Sequence, residues 1–492
     1  MKLMKRSLIV LSCALALLSC AGKQKAPVEP HSAAELAGLR VATVAGSCYD
    51  FELSARGDLS LQRYNTDSDL LQALTNGKAD VVIHDEVVYN PVIRKENGVK
   101  IVHIEERSFP TAFVFRKDDA ELARTMTEIQ RRMIGDGSMQ KLKDFWLSDR
   151  YALATSFEHI PDEPAGIPIR VATATDSSPI SFMVDGEWYG IEIDLLRELG
   201  KELHRPLEIK RYDSGSALLS VQSGLADVLC GCIFVTPERE ELFQFSEPYH
   251  AFHPAYFVRD PEARRSGLGL LTGFRNSIRK NLLVENRWKY ITGGLWKTLK
   301  ISLLAILLGS ILGVGIHALG RSRRRWVRSL AGIYNGFMAG IPELVLLLIL
   351  FYVVFAKSGL SPDMVAVICF SLFFASGASD IYGTSLDAIP HGQTEAGLAL
   401  GFTRLQTFFH IVLPQAVRRG LPLYKGQCVS LLKGTSIVGY IAIQDLTRAG
   451  DIIRSRTFDA LLPLLVITVI YFLLVWLIGA LLKLATPKTK VL

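Results

Sequence analysis

Three side chains suited to holding a small charged molecule lie shortly after apolar segments in the first half of the chain. They are Ser47, Asp85 and Arg239. A guanidinium binds a carboxylate through parallel N–H donors, and a side-chain carboxylate binds an ammonium group. Together with free backbone N–H groups, these residue types have the chemistry to bind a zwitterion.

Motifs for catalysis or for cofactor binding do not stand out in this sequence. The phosphate-binding pattern G-x4-G-K-[ST] does not occur, so the chain has no Walker A site for ATP. Cys48, Cys230 and Cys232 lack an identifiable fourth partner for a metal, and we interpret them as small buried apolar side chains. We expect no enzyme activity, and neither a metal nor a cofactor bound by this chain alone.

Alternating strands and helices are needed to position the three candidate side chains. Residues 36–150 alternate apolar strand patterns with amphipathic helix patterns, and 166–262 repeat this order. Such alternation predicts parallel sheets, with ligands bound beyond the carboxyl ends of the strands. The intervening segment 151–165 contains prolines and is predicted to be a linker.

Several short motifs in these two segments resemble periplasmic amino-acid-binding proteins. Residues 190–195 read G-I-E-I-D-L, and 226–249 contain A-D-V-L, T-P-E-R and F-Q-F-S-E-P-Y. They resemble the G-F-D-V-D-L motif and the D-hydrophobic…G-x-x-x-T-x-E-R…DFS-D/E-P-Y run of that family. Residues 36–47, 79–86 and 136–146 resemble motifs of the family's other lobe. The resemblance covers nearly all of 36–260.

The two lobes occur here in the reverse of the family's order. We interpret this order as a circular permutation that gives one α/β two-lobed clamshell. Two truncated half-domains in tandem are the alternative.

The resemblance assigns roles to the candidate side chains. It implies that Arg239 binds an α-carboxylate, that Ser47 donates a hydroxyl to it, and that Asp85 binds the α-ammonium group. A surface charge is the alternative for Arg239, and a helix N-cap is the alternative for Asp85. The further candidate ligand residues are Gly231, Phe234, Thr236 and Ser177.

The part of the site that reads the ligand's side chain departs from the family pattern. Ala174 replaces an acidic residue, Ser177 replaces an aromatic one, and Phe234 replaces a small hydroxyl residue. The resemblance therefore does not indicate which amino acid, or which other small solute, is bound.

Long apolar runs dominate the chain beyond residue 288 and predict membrane spans. Arginines after the first run place that loop inside and the two lobes outside, because cytoplasmic loops carry an excess of basic residues. The same topology explains the net charge of +7 without nucleic-acid binding. An amphipathic stretch at 278–290 is predicted on the outer surface. The five predicted spans are about 297–319, 329–355, 364–386, 425–445 and 459–485.

A motif after the third span resembles the EAA loop of ABC-transporter permeases, E-A-A-x3-G-x9-I-x-L-P. The resemblance implies a short cytoplasmic helix that docks on a separate ATPase, which holds ATP and magnesium. Because such ATPases act in pairs, we expect two copies of this chain, as a homodimer. The matching residues are Glu395, Ala396, Gly397, Gly401, Ile411, Leu413 and Pro414.

Two acidic residues, Glu343 and Asp380, lie within the apolar runs. Acids in such positions face a bundle interior or a cavity, so we predict that they line a translocation path. A structural contact between helices is the alternative. Two arginines of the polar-amino-acid permeases are missing, since Ala339 and Gly383 stand in their places.

The N-terminus has the pattern of an export signal. A basic start precedes twelve apolar residues, which is too short for a span, and Cys20 ends a sequence that resembles a lipobox. We expect Cys20 to carry lipid, with an uncleaved membrane anchor as the alternative.

The sequence as a whole predicts a fused receptor and permease of an ABC importer for amino acids in the bacterial inner membrane. The fold class is an α/β clamshell, circularly permuted, followed by an all-α five-helix type I permease domain. A ligand-gated ion channel and a transmembrane sensor are the alternatives. The predicted segments are a signal at 1–20, a tether at 21–35, a lobe at 36–150, a linker at 151–165, a lobe at 166–262, a linker with a surface helix at 263–290, and the permease at 291–492.

Overall fold

The computed structural model describes residues 28–148, 166–175, 178–184, 186–212, 214–260 and 270–484. The predicted signal with Cys20, the linker 151–165 and Ser177 lie outside these ranges. The strands are β1 (Arg40–Val44), β2 (Ser60–Tyr64), β3 (Val81–Asp85), β4 (Val99–Ile104), β5 (Phe109–Thr111), β6 (Val114–Arg116), β7 (Ile169–Thr173), β8 (Phe182–Val184), β9 (Glu187–Tyr189), β10 (Leu207–Arg211), β11 (Val228–Cys230), β12 (Phe243–Phe245), β13 (His250–Phe252) and β14 (Pro254–Arg259).

One group of described helices lies among the strands in sequence, and a second group follows the last strand. The first group is α1 (Cys48–Ser54), α2 (Asp67–Thr75), α3 (Pro91–Asn97), α4 (Ala120–Gly135), α5 (Ser138–Trp146), α6 (Ile191–Leu203), α7 (Ser214–Gln222) and α8 (Pro237–Leu242). The second group is α9 (Leu270–Ile278), α10 (Trp288–Gly320), α11 (Arg325–Gly340), α12 (Glu343–Ile349), α13 (Pro362–Asp387), α14 (His391–Ala399), α15 (Arg404–Thr407), α16 (Leu413–Gly434), α17 (Leu446–Thr457) and α18 (Leu461–Leu484).

The chain forms two compact units. The described residues up to 108, together with 252–260, form the first unit. Its sheet has the order β2-β1-β3-β14-β4, with β1 parallel to β2 and β3, and β14 antiparallel to β3 and β4. The apolar side chains at 81–83 in β3 are buried, as expected of a parallel strand inside a sheet.

The second unit comprises the remaining described residues and contains a similar sheet. Its order is β10-β7-β11-β6-β12, with β7 parallel to β10 and β11, and β6 antiparallel to β11 and β12. Each sheet therefore contains one strand from the other stretch of sequence: β6 comes from 36–150, and β14 comes from 166–262. The sheets do not coincide with the two consecutive segments into which we divided the sequence.

Both units contain the same contact between an arginine and an aspartate. The main-chain N–H of Arg40 donates to Asp80 Oδ2 at 3.1 Å, and the main-chain N–H of Arg170 donates to Asp227 Oδ2 at 2.9 Å. Each guanidinium also binds its carboxylate through two N–H groups. The bonds from Arg40 lower the pKa of Asp80. Burial raises the pKa of Asp227, but the bonds from Arg170 outweigh this effect and lower it. Each contact fixes the register of two parallel strands.

Among the described residues, three helices are long and apolar enough to cross a membrane: α10, α13 and the part of α18 from Leu461 to Leu482. Two bent pairs raise the number to as many as five. Residues 325–340 and 343–354 meet at 106°, and 404–441 and 446–457 meet at 53°. The predicted spans 329–355 and 425–445 fall on these bent pairs, which sequence hydropathy alone did not reveal.

The predicted surface helix at 278–290 is not one helix. Glu285 and Asn286 adopt positive φ angles, so the chain turns between α9 and α10. Nη1 of Arg287 donates to the carbonyl of Lys280 at 2.6 Å and closes this turn. Helix α10 then begins at Trp288, nine residues before the span that we predicted.

Small residues allow α10 and α13 to pack closely. A Cβ added to Gly309 would lie 2.8 Å from Cβ of Phe374, and one added to Gly313 would lie 2.9 Å from Cβ of Ala378. Without a hydrophobic driving force between helices in lipid, such close contact supplies much of the packing energy.

Replacing Gly309 with leucine is expected to separate α10 from α13. The side chain has no space, and overpacking of this kind costs about 1–3 kcal/mol or more. Gly315 lies on the same helix with no atom within 4 Å of an added Cβ, so Gly315→Leu is the matched control. The thermal unfolding temperature of the purified protein in detergent should fall for Gly309→Leu only. Equal temperatures for the two variants would contradict the packing interpretation.

Within the second unit, described residues of the sheet and of the apolar helical part pack against each other. Ala442, between α16 and α17, packs against a core cluster that includes Ala172 and Leu229. Leu225, before β11, packs against the core of the helical part.

Candidate functional site

Ser47 lies after β1 and begins helix α1. Its hydroxyl accepts the N–H of Asp50 at 3.2 Å and donates to the carbonyl of Val44 at 2.7 Å. The carboxylate of Asp50 in turn accepts the N–H of Gly46 at 2.9 Å. The predicted ligand hydroxyl therefore also caps a helix and fixes the turn on which it lies.

Asp85 is the last residue of β3 and is buried. It is not a helix N-cap, because α3 begins only at Pro91 and is capped by Asn90, whose Oδ1 accepts the N–H of Ile93 at 2.9 Å. The hydroxyl of Tyr49 donates to Asp85 Oδ1. The N-cap alternative for Asp85 was thus wrong, and the carboxylate lies at a strand end.

A histidine connects Asp85 to a second carboxylate. The N–H of Asp85 donates to His84 Nδ1 at 2.7 Å, so Nε2 carries the ring proton and donates to Asp67 Oδ1 at 3.2 Å. His84 Nδ1 lies 3.6 Å from Asp85 Oδ2. Sequence reasoning missed Tyr49 and His84, although both lie close in sequence to predicted site residues.

The remaining described candidates lie together in the second unit, in the segment after β11. Strand β11 ends at Cys230, and Gly231 follows at a φ of 108°. A Cβ on Gly231 would lie 2.6 Å from the backbone N of Ala174, so only glycine fits this approach. Cys232 also has a positive φ and lies beyond the end of β11, so of the two cysteines only Cys230 belongs to the strand.

Arg239 is attached to the loop that precedes it. It lies in α8, which begins after Thr236, and its Nη1 donates to the carbonyl of Phe234 at 3.0 Å. The ring of Phe234 is buried and packs edge-on against Phe109, with centroids 5.9 Å apart. The structure thus brings Gly231, Phe234, Thr236 and Arg239 onto one loop.

A buried carboxylate that sequence reasoning did not select holds this loop. Glu192 Oε2 accepts the N–H of Gly231 at 2.7 Å, and Oε1 accepts the N–H of Cys232 at 2.9 Å. Burial raises the pKa of Glu192, and its hydrogen bonds offset part of that effect. The motif G-I-E-I-D-L contained the signal, but we had used it only to identify the family.

The two acids in the helical part differ in their surroundings. Glu343 is the first residue of α12, at the bend of the first bent pair, and its Oε2 lies 2.6 Å from the position of a Cβ on Gly434. Asp380 is exposed on α13, and its Oδ1 accepts Nδ2 of Asn335 at 3.1 Å. Asp380 therefore makes a contact between helices, while Glu343 lies against the end of α16.

The residues of the EAA-like motif form a helix–turn–helix. Glu395, Ala396 and Gly397 lie in α14, which ends before Gly401 at a φ of 86°. Gly397 is buried, and a Cβ there would lie 2.6 Å from Cγ2 of Thr407. Ile411 lies in the π turn Phe408–Val412, and Leu413 and Pro414 begin α16.

Large apolar side chains are exposed around this helix–turn–helix. They are Leu398, Leu400, Phe402 and Leu405, of which Leu400 and Leu405 are 76% and 72% exposed. Contiguous exposed apolar residues of this size are typical of a protein–protein contact surface. Among the described residues, no group of three or more His, Cys, Asp or Glu side chains is placed to hold a metal ion.

Comparison with known proteins finds two kinds of relatives, solute-binding proteins and permeases. Residues 169–407 match bacterial extracellular solute-binding proteins, family 3. The chain is 36% identical to the L-cystine transport system permease protein TcyB of Bacillus subtilis (strain 168) over 38% of this chain and 80% of that protein. It is 32% identical to the arginine ABC transporter permease protein ArtQ of Haemophilus influenzae over 32% of this chain and 75% of that protein.

Among solved structures, the chain is similar to an amino acid ABC transporter with histidines. That likeness has 26% identity and a TM-score of 0.38, and it covers 45% of this chain and 98% of the other. By its identity to TcyB over 80% of that protein, the chain belongs to the permeases of amino-acid ABC transporters, and by its match at 169–407 it carries a family 3 solute-binding domain in the same polypeptide.

Proposed function

We propose that this protein captures an amino acid outside the cytoplasmic membrane and moves it inward, driven by a separate ATPase subunit. The observation that carries the proposal is the helix–turn–helix at 391–414, with its exposed apolar side chains, in the same chain as a solute-binding domain. A chain that bound solutes without an ATP-driven partner would not need such a surface.

Ligand recognition follows from the charges at the two candidate segments. Arg239 binds the α-carboxylate, supported by backbone N–H groups of its loop and by the hydroxyl of Ser47. Asp85 binds the α-ammonium group, and Tyr49 holds the Asp85 carboxylate through its hydroxyl. These roles come from the family resemblance and from the chemistry of the groups.

The lobes have the permuted order described above, and in this proposal they act as one receptor. The contacts of Leu225 and Ala442 support docking of the binding domain on the permease part. Glu343 lines the translocation path and offers a negative charge at the bend of a broken span.

The ATPase partner binds the exposed face of α14 and α15, and it holds ATP and magnesium. One such loop serves one ATPase, so two copies of this chain form the working complex. The chain resides in the bacterial inner membrane with the binding domain outside, and Cys20 anchors the mature N-terminus to lipid.

Names of similar permeases suggest which amino acids to test. They include an L-cystine permease, glutamine permeases and an arginine permease. The test uses the full chain purified in detergent and titrates L-cystine, L-glutamine and L-arginine, followed by the other amino acids. We expect one of them to raise the unfolding temperature, since a ligand that binds only the folded state stabilises it. If no amino acid raises this temperature, the proposed substrate class is wrong.

Transport is measured separately, in cells that express the chain with its ATPase. Uptake of the same labelled amino acid should require a functional Walker A lysine in the ATPase. Uptake that persists without ATP hydrolysis would contradict the ABC mechanism.

A further inference from the structure

Glu192 is a fully buried carboxylate that receives hydrogen bonds from two separate parts of the chain. It lies near the start of α6, and its oxygens accept the backbone N–H groups of Gly231 and Cys232. Its Oε1 also accepts the hydroxyl of Tyr249 at 2.7 Å. All three of these donors point at the carboxylate, so the bonds favour its ionised form.

Burying an ionised carboxylate in this position costs free energy unless the carboxylate is fully hydrogen-bonded. Three donors at 2.7–2.9 Å supply part of that compensation. An apolar side chain of the same volume would leave the N–H groups of Gly231 and Cys232 without this acceptor, which costs free energy. The charge instead fixes two backbone N–H groups in one orientation, at the point where the chain leaves β11.

The two fixed N–H groups lie at the start of the loop that ends at Arg239. Gly231 and Cys232 both adopt positive φ angles, a conformation that costs energy for cysteine. Five residues after Cys232, helix α8 begins, and Arg239 reaches back to the carbonyl of Phe234. The bonds to Glu192 hold the beginning of this loop, and the bond from Arg239 holds its end.

Tyr249 lies just before the chain passes from the second unit to the first. Its N–H donates to the carbonyl of Thr111 at 3.1 Å, and the Thr111 hydroxyl donates to the carbonyl of His250 at 2.9 Å. Thr111 and His250 belong to β5 and β13, which pair in a two-stranded sheet. The Tyr249 ring also packs against Phe113, with centroids 5.4 Å apart.

We propose that Glu192 is a positioning residue for ligand binding. It holds the loop 231–239 in the conformation that presents Arg239, and through Tyr249 it links this loop to the paired strands β5 and β13. This inference rests on the proposed role of Arg239 in binding the ligand carboxylate. By this inference, Glu192 does not touch the ligand but determines the affinity with which the ligand is bound.

The test compares two isosteric substitutions on one helix, Glu192→Gln and Asp194→Asn. Asp194 is also buried, and its carboxylate accepts Nε1 of Trp146 at 2.8 Å and Nη1 of Arg197 at 3.5 Å, two side chains that lie outside the loop. The full chain in detergent is titrated calorimetrically with the amino acid that raises the unfolding temperature of the wild type, with L-cystine, L-glutamine and L-arginine tried first. Unfolding temperatures without ligand are recorded in parallel.

Glu192→Gln is expected to weaken binding about ten- to hundredfold, since hydrogen bonds to a charged group contribute about 1.5–3 kcal/mol. Asp194→Asn should lower the unfolding temperature comparably and leave the Kd within about twofold. Tyr249→Phe keeps the ring and removes one donor, so it should weaken binding by a smaller factor. It also provides a measurement if Glu192→Gln does not fold.

Three results would overturn the inference. Equal losses of affinity in Glu192→Gln and Asp194→Asn would show a general effect of stability. Unchanged affinity in Tyr249→Phe would remove the link to the paired strands. Binding by the wild type together with unchanged binding by Glu192→Gln would reject the positioning role alone, whereas no binding by the wild type would reject the proposed function and this inference with it.

Discussion

Replacing Gly397 with valine is expected to abolish amino-acid uptake while ligand binding by the solute-binding domain stays unchanged. The added side chain meets Thr407 and Ile411, whose Cγ2 and Cδ1 atoms lie 2.6 and 2.9 Å from a Cβ on Gly397. Thr407 is fully buried and β-branched, so it has little freedom to move aside. Helix α14 would have to separate from α15 and the π turn, which displaces the surface proposed to bind the ATPase.

Gly392 provides the matched control for this substitution. It lies in the same helix, but no atom lies within 4 Å of its added Cβ. Gly392→Val should therefore retain most uptake, and Gly397→Ala should fall between the two variants. The measurement is uptake of the labelled amino acid in cells with the ATPase, together with ligand-stimulated ATP hydrolysis by the purified complex. Full uptake by Gly397→Val would show that the contact with Thr407 does not control coupling.

Arg239→Ala is expected to weaken ligand binding about a hundredfold or more. Loss of one partner from a desolvated charge pair costs about 2–5 kcal/mol, and much of that is the penalty for the carboxylate left unpaired. Arg239→Lys should also bind poorly, because an ammonium lacks the planar fork that matches a carboxylate. The Kd is measured by calorimetry on the full chain in detergent.

Arg131 serves as the control for removing an arginine from the second unit. It is 65% exposed and forms a surface ion pair with Glu247, a contact worth about 0–1 kcal/mol. Arg131→Ala should bind ligand like the wild type. If Arg239→Ala also binds like the wild type, Arg239 is a structural residue that supports the Phe234 carbonyl and does not bind the ligand.

The sequence predicted those features that depend on local pattern. The predicted alternation of strands and helices within 36–150 appears in the structure, for example in the helix α2 followed by the strand β3. The turn after the EAA-like motif depends on Gly401, whose φ of 86° suits glycine. These features need only alternation, helical periodicity and the special conformation of glycine.

Features that depend on distant contacts could not be predicted in this way. β6 is three residues long and lies 50 residues or more before the strand β7, so its sequence does not reveal which sheet it joins. The roles of Tyr49 and Glu192 depend on a carboxylate or an N–H group that only folding brings near. Sequence could supply the family's recognition residues, but not the groups that orient them.

The exchange of strands between the two sheets has a consequence for biosynthesis. β14 lies between β3 and β4, so the first sheet stays divided until residue 259 has left the ribosome. Until then β3 lacks the neighbour that covers its free edge. In the same way, β6 cannot pair with β11 until β11 has been synthesised. The first hundred residues therefore cannot fold as an early domain. Both sheets have all their strands once residue 259 has emerged, about thirty residues before α10 begins at Trp288.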